Sequence, residues 1–202
     1  AKLLDVCGEL RASEQVDERA VTGCSFDSRA VSAGDVFFCK GAAFKLAFLR
    51  MALDAGAVAF VCEESLVESL EPLAQESGAA MLVVDSVRTA MALLPPEVYD
   101  RPDHDVKIVG ITGTKGKTTA AFMLQSIIKA AGESCGMIGS VSTDDGIECY
   151  ESTNTTPEAP EVWRHIANCR TSGRQSMVME VSSQALQYQR VETLLAAPGL
   201  SL

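Results

Sequence analysis

Short solid runs of apolar residues alternate along this chain with longer stretches whose apolar positions recur near every 3.6 residues. The short runs predict strands buried on both faces, and the longer beat predicts amphipathic helices. Asp35-Val-Phe-Phe-Cys39, Ala57-Val-Ala-Phe-Val-Cys62 and Ala80-Met-Leu-Val-Val84 are strands on this reading. Between them, 44–55 and 65–77 carry helical spacing, and Gly56 supplies a helix stop. Ser86 is an N-cap candidate, predicting a helix to about Leu94 that Pro95-Pro96 halts. Such alternation argues an α/β layered domain with a largely parallel sheet.

The pattern then breaks. Residues 97–105 are polar, contain Pro102, and predict a linker between domains at 1–96 and 106–202. Past the break, Lys107-Ile-Val-Gly-Ile-Thr112 predicts a strand and a helix follows from Lys117 to about Ala131, closed by Gly132. Ser134 to Ser142 is apolar with two glycines and predicts one strand; Met177-Val-Met-Glu-Val181 predicts another. The fold class expected is therefore α/β in both halves, with no internal repeat.

Composition narrows the function classes. Seventeen basic against 27 acidic side chains give a net charge of −10, which argues against a general nucleic-acid binder while leaving room for a local phosphate site. No apolar run approaches the roughly 20 residues that span a bilayer, so membrane insertion is not expected. The start lacks a basic segment and a long apolar core, so no secretory signal is expected either. The seven cysteines are scattered without a CxxC pair. They predict reduced, mostly buried thiols and a cytoplasmic setting rather than a zinc site. His104 and His165 stand in no partner pattern and receive no role.

The strongest chemical signal is Ile108-Val-Gly-Ile-Thr-Gly-Thr-Lys-Gly-Lys-Thr-Thr119. A buried strand enters a glycine-bearing turn, and a helix starts at a Lys-Thr pair. Gly113 and Gly116 let successive N–H groups face one point, and the helix N-terminus adds its positive end. Lys117 would neutralise phosphate charge and the Thr118 hydroxyl would ligate Mg²⁺. The strict pattern G-x-x-x-x-G-K-[ST] is not met, because Ile111 stands where its first glycine belongs. Local chemistry thus points to a phosphate-binding loop and leaves the reaction open.

Gly113-Thr-Lys-Gly-Lys-Thr-Thr119 resembles the variant phosphate loop of the Mur ligases, the ATP-dependent amide-bond-forming enzymes of peptidoglycan synthesis. Three further stretches share the resemblance. Phe26-Asp-Ser-Arg-Ala-Val-Ser-Ala-Gly-Asp-Val-Phe-Phe38 is similar to the family's N-terminal "DSR…GD-F" signature, Thr153-Asn-Thr-Thr-Pro-Glu158 to its "NTTPE" loop, and Met179-Glu-Val-Ser-Ser-Gln-Ala-Leu186 to "EVSSHAL". Their order is most like the branch that adds the third residue of the stem peptide, from about residue 22 to 192.

The resemblance implies a small N-terminal uridine-nucleotide domain followed by an incomplete P-loop-type central ATPase domain. It implies ATP and Mg²⁺ as cofactors. It places the ATP phosphates on Gly113, Thr114, Lys115, Gly116, Lys117, Thr118 and Thr119, and Mg²⁺ on Thr118 and Glu180. Lys117 and Glu180 would be the catalytic pair. Phe26 and Ser28 would touch the uridine diphosphate end of a UDP-N-acetylmuramoyl-dipeptide. Asn154, Thr155, Thr156, Ser182 and Arg190 would line the muramoyl-peptide channel. The second partner would be a diamino acid, diaminopimelate or lysine. Read alone, Asp27-Ser28-Arg29 and Asn154 to Pro157 are also ordinary turns, Ser182 a helix cap and Arg190 a surface charge.

The chain departs from the family pattern at Lys115, where Asn is common, at Gln184, where His is usual, and after Gly41, where a "DGH" stretch is missing. It also stops soon after the "EVSS" motif, and 194–202 continues the pattern poorly. The expectation is a truncated chain with weak or absent turnover and an unpaired edge on its half-built central sheet. Another Mur-type ligase, or a non-catalytic nucleotide-binding remnant, are the alternative readings.

Overall fold

The computed structural model describes residues 9–10, 21–195 and 200–201. The chain divides into two compact units, 1–99 and 100–202.

In the first unit, strands β1 (Glu9–Leu10), β2 (Gly23–Ser25), β3 (Asp35–Phe38), β4 (Ala59–Glu63) and β5 (Ala80–Val84) form one sheet in the order β1-β5-β4-β3-β2. The last four are parallel, and β1 runs antiparallel to β5. Helix α1 (Leu46–Asp54) joins β3 to β4, α2 (Val67–Ser77) joins β4 to β5, and α3 (Val87–Val98) follows β5. Successive strand side chains face opposite ways. Phe37, Phe60, Met81 and Val83 pack with Leu49 of α1 and Leu70 of α2. Phe38, Val61, Leu82 and Val84 pack with Val87, Met91 and Leu94 of α3. The solid apolar strands of the sequence are thus the middle layer of a three-layer unit.

Ser86 caps α3, its hydroxyl accepting from the Thr89 N–H at 3.3 Å. The helix does not stop at Pro95-Pro96 but runs to Val98, with both prolines buried inside it. An interior proline costs about 3 kcal/mol of helix stability. Here the apolar face of α3, which includes both rings, is buried and offsets that loss. The expected linker at 97–105 accordingly contains the end of α3 and a 3₁₀ turn at Pro102–His104.

In the second unit, β6 (Lys107–Ile111) leads through the glycine loop to α4 (Lys117–Ala130) and β7 (Cys135–Ile138). Then come β8 (Ser142–Asp144), β9 (Cys149–Glu151), α5 (Ala159–Thr171), β10 (Ser176–Glu180), α6 (Ser183–Gln187), α7 (Glu192–Leu195) and β11 (Leu200–Ser201). The single strand expected over 134–142 is two, because the chain reverses after Gly139 and β8 returns antiparallel to β7. The sheet order is β11-β6-β10-β7-β8-β9. Strands β6, β10 and β7 are parallel neighbours. The expected bare edge is met at Ile108 and Val109 by β11. Helix α4 covers the face carrying Val109, Met137 and Val178. A side chain at Gly136, on the opposite face, would collide with Cys169 of α5, which places that helix on the other side.

Candidate functional site

Parallel strands present their C-terminal ends on one edge, where loops gather ligands. In the second unit β10 lies between β6 and β7, with Glu180 level with Ile111 and Met179 level with Ile138. Three sequence-distant pieces therefore meet at this edge: the loop after β6, the last residue of β10, and the turn after β7.

The loop from Gly113 to Gly116 curls through φ of 144° and 81° at its two glycines, a backbone region that suits residues without Cβ. Gly116 forms the N-cap of α4. The 14-residue helix then presents its first N–H groups and positive dipole end to the loop. Lys117 lies across the loop, its ammonium donating to the Gly113 carbonyl at 2.8 Å.

Glu180 is 1% exposed. An ionised carboxylate buried to this degree needs hydrogen bonds or a cation. The Thr118 hydroxyl donates to its Oε2 at 2.9 Å. The Ser140 backbone N–H donates to its Oε1 at 2.8 Å, and the Ser140 hydroxyl lies 3.2 Å from Oε2. Among the described residues no Lys or Arg forms an ion pair with it. A Cβ at Gly139 would sit 2.7 Å from Oε1, so any side chain there would push the carboxylate aside. The buried Glu180 carboxylate and the Thr118 hydroxyl, with no cationic side chain paired to them among the described residues, are oxygen donors of the kind Mg²⁺ takes, so the residues fit that ion.

The segment 153–158 closes the edge from the side of β9. Thr156 is buried, its hydroxyl donating to the Glu180 carbonyl at 2.7 Å and accepting from the Ser182 N–H at 3.1 Å. The Ser182 hydroxyl caps α6 by accepting from Ala185 N–H at 3.1 Å. Arg190 donates to the Thr156 carbonyl at 2.8 Å and pairs with Glu158 at 3.0 Å. Thr155 is half-buried, 3.0 Å from the Ser140 hydroxyl, and Asn154 is exposed. Lys117, Thr118, Glu180, Thr155, Thr156, Ser182 and Arg190 thus form one connected region. Gly139 and Ser140 were missed by sequence reasoning. The only signal for them was a Gly-Ser pair directly after an apolar run.

Phe26 and Ser28 belong to the first unit. With Asp27, Arg29, Phe48 and Met51 they line a cavity of about 390 Å³. Hydrogen bonds from the Arg29 side chain and backbone hold the Asp27 carboxyl below its ordinary range.

Elsewhere in the second unit a closed polar network surrounds Asp145, which is 0% exposed. Its Oδ1 accepts from the N–H groups of Ile147 and Glu148, and its Oδ2 from Asn168 at 2.8 Å and His165 Nδ1 at 2.6 Å. His165 Nε2 lies 3.0 Å from the Tyr150 hydroxyl. Burial pushes the Asp145 carboxyl up, but hydrogen bonds from His165, Glu148, Asn168 and Ile147 outweigh it and bring it to about 2. Asp145, Glu148 and His165 have metal-ligand spacing, yet their atoms are already engaged, Glu148 by Arg164. The cluster ties the β8–β9 hairpin to α5.

Cys24, Cys39, Cys62, Cys135 and Cys169 are buried and free, Cys149 is exposed, and Cys7 lies outside the described residues. Burial pushes the Cys62 thiol to about 11 and Cys169 to about 12. Among the described residues no helix is long and apolar enough to cross a membrane.

Comparison with known proteins follows the same geometry. Residues 111–199 match the Mur ligase middle domain, so the match reaches into 194–202 but ends before its last three residues. Over 195 residues the chain is 37% identical to the UDP-N-acetylmuramoyl-L-alanyl-D-glutamate–L-lysine ligase of Enterococcus faecalis, covering 96% of this chain and 37% of that one. Over 171 residues it is 39% identical to the UDP-N-acetylmuramyl-tripeptide synthetase of Lactobacillus delbrueckii subsp. bulgaricus, covering 83% and 32%. A solved UDP-N-acetylmuramoyl-L-alanyl-D-glutamate–2,6-diaminopimelate ligase shares the fold, with a TM-score of 0.64 at 22% identity over 84% of this chain and 34% of that one. The chain therefore spans about a third of the length of the curated relatives it matches. Residues 111–199 thus belong to the Mur ligase middle-domain family, and most of the chain is similar to ligases that carry that domain.

Proposed function

We propose that this chain supplies the ATP-binding edge and the uridine-nucleotide unit of a peptidoglycan-precursor ligase. Such a ligase adds a diamino acid to UDP-N-acetylmuramoyl-L-Ala-D-Glu, as the names of its relatives describe for them. The observation that carries the reading is the meeting of Thr118, Glu180 and Ser140 beneath the 113–119 loop.

In this reading Gly113, Thr114, Lys115, Gly116, Lys117, Thr118 and Thr119 receive the phosphates through backbone N–H groups and the helix end. Lys117 leaves the Gly113 carbonyl and turns its ammonium to the β/γ-phosphates. Thr118, its hydroxyl hydrogen-bonded to Glu180, and Glu180 would together hold Mg²⁺, the carboxylate supplying the compensating negative charge. The ion, when bound, neutralises charge building on the phosphates. The substrate carboxylate attacks the γ-phosphate to give an acyl phosphate and ADP, and the amine of the incoming amino acid then displaces phosphate. The chain's part in this is positioning and charge stabilisation.

Exposed Asn154 and half-buried Thr155 face the muramoyl-peptide side. Thr156, Ser182 and Arg190 hold that wall from behind. Phe26 and Ser28 receive the uridine diphosphate in the cavity of the first unit.

The test is equilibrium binding of ATP with and without Mg²⁺, together with phosphate release in the presence of UDP-N-acetylmuramoyl-dipeptide and lysine or diaminopimelate. Mg²⁺-dependent ATP binding is expected, weakened at least about tenfold by Lys117→Ala. These 202 residues correspond to about a third of the relatives' length, and weak or absent ligation is expected from them alone. ATP binding unaffected by Lys117→Ala would overturn the assignment.

A further inference from the structure

The Ser140 hydroxyl has one proton and two neighbours that can accept it. Glu180 Oε2 lies at 3.2 Å and Thr155 Oγ1 at 3.0 Å. A serine hydroxyl donates once, so at any instant it serves one of them.

The carboxylate side of this choice is crowded. Oε2 also accepts from Thr118 at 2.9 Å, so with Ser140 both of its lone pairs are occupied. Oε1 accepts from the Ser140 N–H and is packed against Gly139, where a Cβ would crowd it. Oε2 is the oxygen that faces Thr118. A cation held between Thr118 and Glu180 therefore takes a position on Oε2 that the Ser140 hydroxyl otherwise fills.

The Thr155 side is free to respond. Ser152 is fixed at one end of the segment, its N–H donating to the Val141 carbonyl at 3.0 Å and its hydroxyl 3.0 Å from Thr143. Buried Thr156 fixes the other end. Residues 153–155 lie between these anchors, and Ser140 is exposed, with room for its hydroxyl to turn.

We propose that the Ser140 hydroxyl is a two-position positioning group: a cation arriving at Glu180 displaces it onto Thr155, so that loading of the phosphate side orders the 153–155 segment on the opposite side of the edge. The proposal rests on the reading of this edge as a nucleotide–Mg²⁺ site. By linkage the effect is reciprocal: a ligand that holds Thr155 toward Ser140 favours the cation. The Ser140 N–H stays on Glu180 in both positions, so the carboxylate itself keeps its place.

The experiment uses this chain with a non-hydrolysable ATP analogue and Mg²⁺. It follows analogue affinity with and without Mg²⁺ and amide hydrogen exchange at 153–155, with thermal melts to confirm that each variant is folded. In the unsubstituted chain, Mg²⁺ with the analogue slows exchange at 153–155. Thr155→Val removes the alternative acceptor, so the cation must displace Ser140 without compensation, and the Mg²⁺ enhancement falls about fivefold. In Ser140→Ala there is nothing to displace, and the enhancement does not fall. Both variants lose the exchange response, and Thr155→Val has no further effect in the Ser140→Ala background.

A merely structural role would weaken Mg²⁺ binding in both variants or in neither. That outcome, or an exchange response retained in Ser140→Ala, overturns the proposal. Mg²⁺-dependent binding without any response at 153–155 also overturns it and leaves the nucleotide reading standing. Absence of Mg²⁺-dependent binding in the unsubstituted chain overturns the reading itself.

Discussion

Two carboxylates in the second unit are buried to nearly the same degree and are treated in opposite ways. Asp145 is enclosed by two backbone N–H groups, an Asn amide and an imidazole, each already in place. Glu180 has two hydroxyls and one backbone N–H, and the hydroxyls can each turn a lone pair elsewhere. A buried polar group that is fully satisfied fixes structure, whereas one satisfied by rotatable donors is held ready for something else. The difference teaches that burial and charge alone do not mark a site. What marks it is the kind of partner.

The comparison can be broken by substitution. Asp145→Ala leaves the buried His165, and the backbone N–H groups of Ile147 and Glu148, without their acceptor, and should cost about 3 kcal/mol of unfolding free energy. Urea melts check this. Glu180→Ala leaves behind two hydroxyls that can turn elsewhere and only one backbone N–H that cannot, and should cost markedly less in the same melts. Equal losses would show that the two carboxylates are held alike.

Acid sharpens it. The hydrogen bonds from His165, Glu148, Asn168 and Ile147 bring the folded Asp145 carboxyl to about 2, below the ordinary aspartate value of about 3.9. Its contribution is fully present above the unfolded value and is lost as pH falls from about 4 toward 2. The expected loss from this group is about 2 kcal/mol. Urea melts at pH 6 and pH 2.5 should therefore show a smaller acid loss in Asp145→Asn than in the unsubstituted chain, and identical losses would refute the assignment.

The smallest expected effect is at Gly139. Alanine there puts a Cβ 2.7 Å from Glu180 Oε1, at a stability cost of about 1 kcal/mol. The same change should weaken Mg²⁺-dependent ATP binding more than it weakens the fold. A melt shift without a binding defect would show that Glu180 tolerates displacement.

Much of this was legible in the sequence where cause and effect are local. The strand at Ala80–Val84 has the bounds its apolar run predicts, and Ser86 caps the helix it precedes. Lys117 and Thr118 stand where a strand, a glycine turn and a helix place them. Pro95-Pro96 misled because the compensation comes from packing on a sheet rather than from the local chain. Ser140 was invisible because its partners, Glu180 and Thr155, are 40 and 15 residues away. His165 was given no role because its partner Asp145 is 20 residues earlier in the chain, and only the return of the β8–β9 hairpin onto α5 brings them together.

The placement of β10 has a consequence for assembly. The strand is synthesised after both neighbours yet lies between them, and the Thr118–Glu180 bond spans 62 residues. Nucleation can bring β6, α4 and β7 together early, but β10 has to enter afterwards, against the loop-closure entropy of long-range pairing. A bound nucleotide and its ion would then act as a late clasp on the last strand to arrive, rescuing slow or marginal folders by mass action.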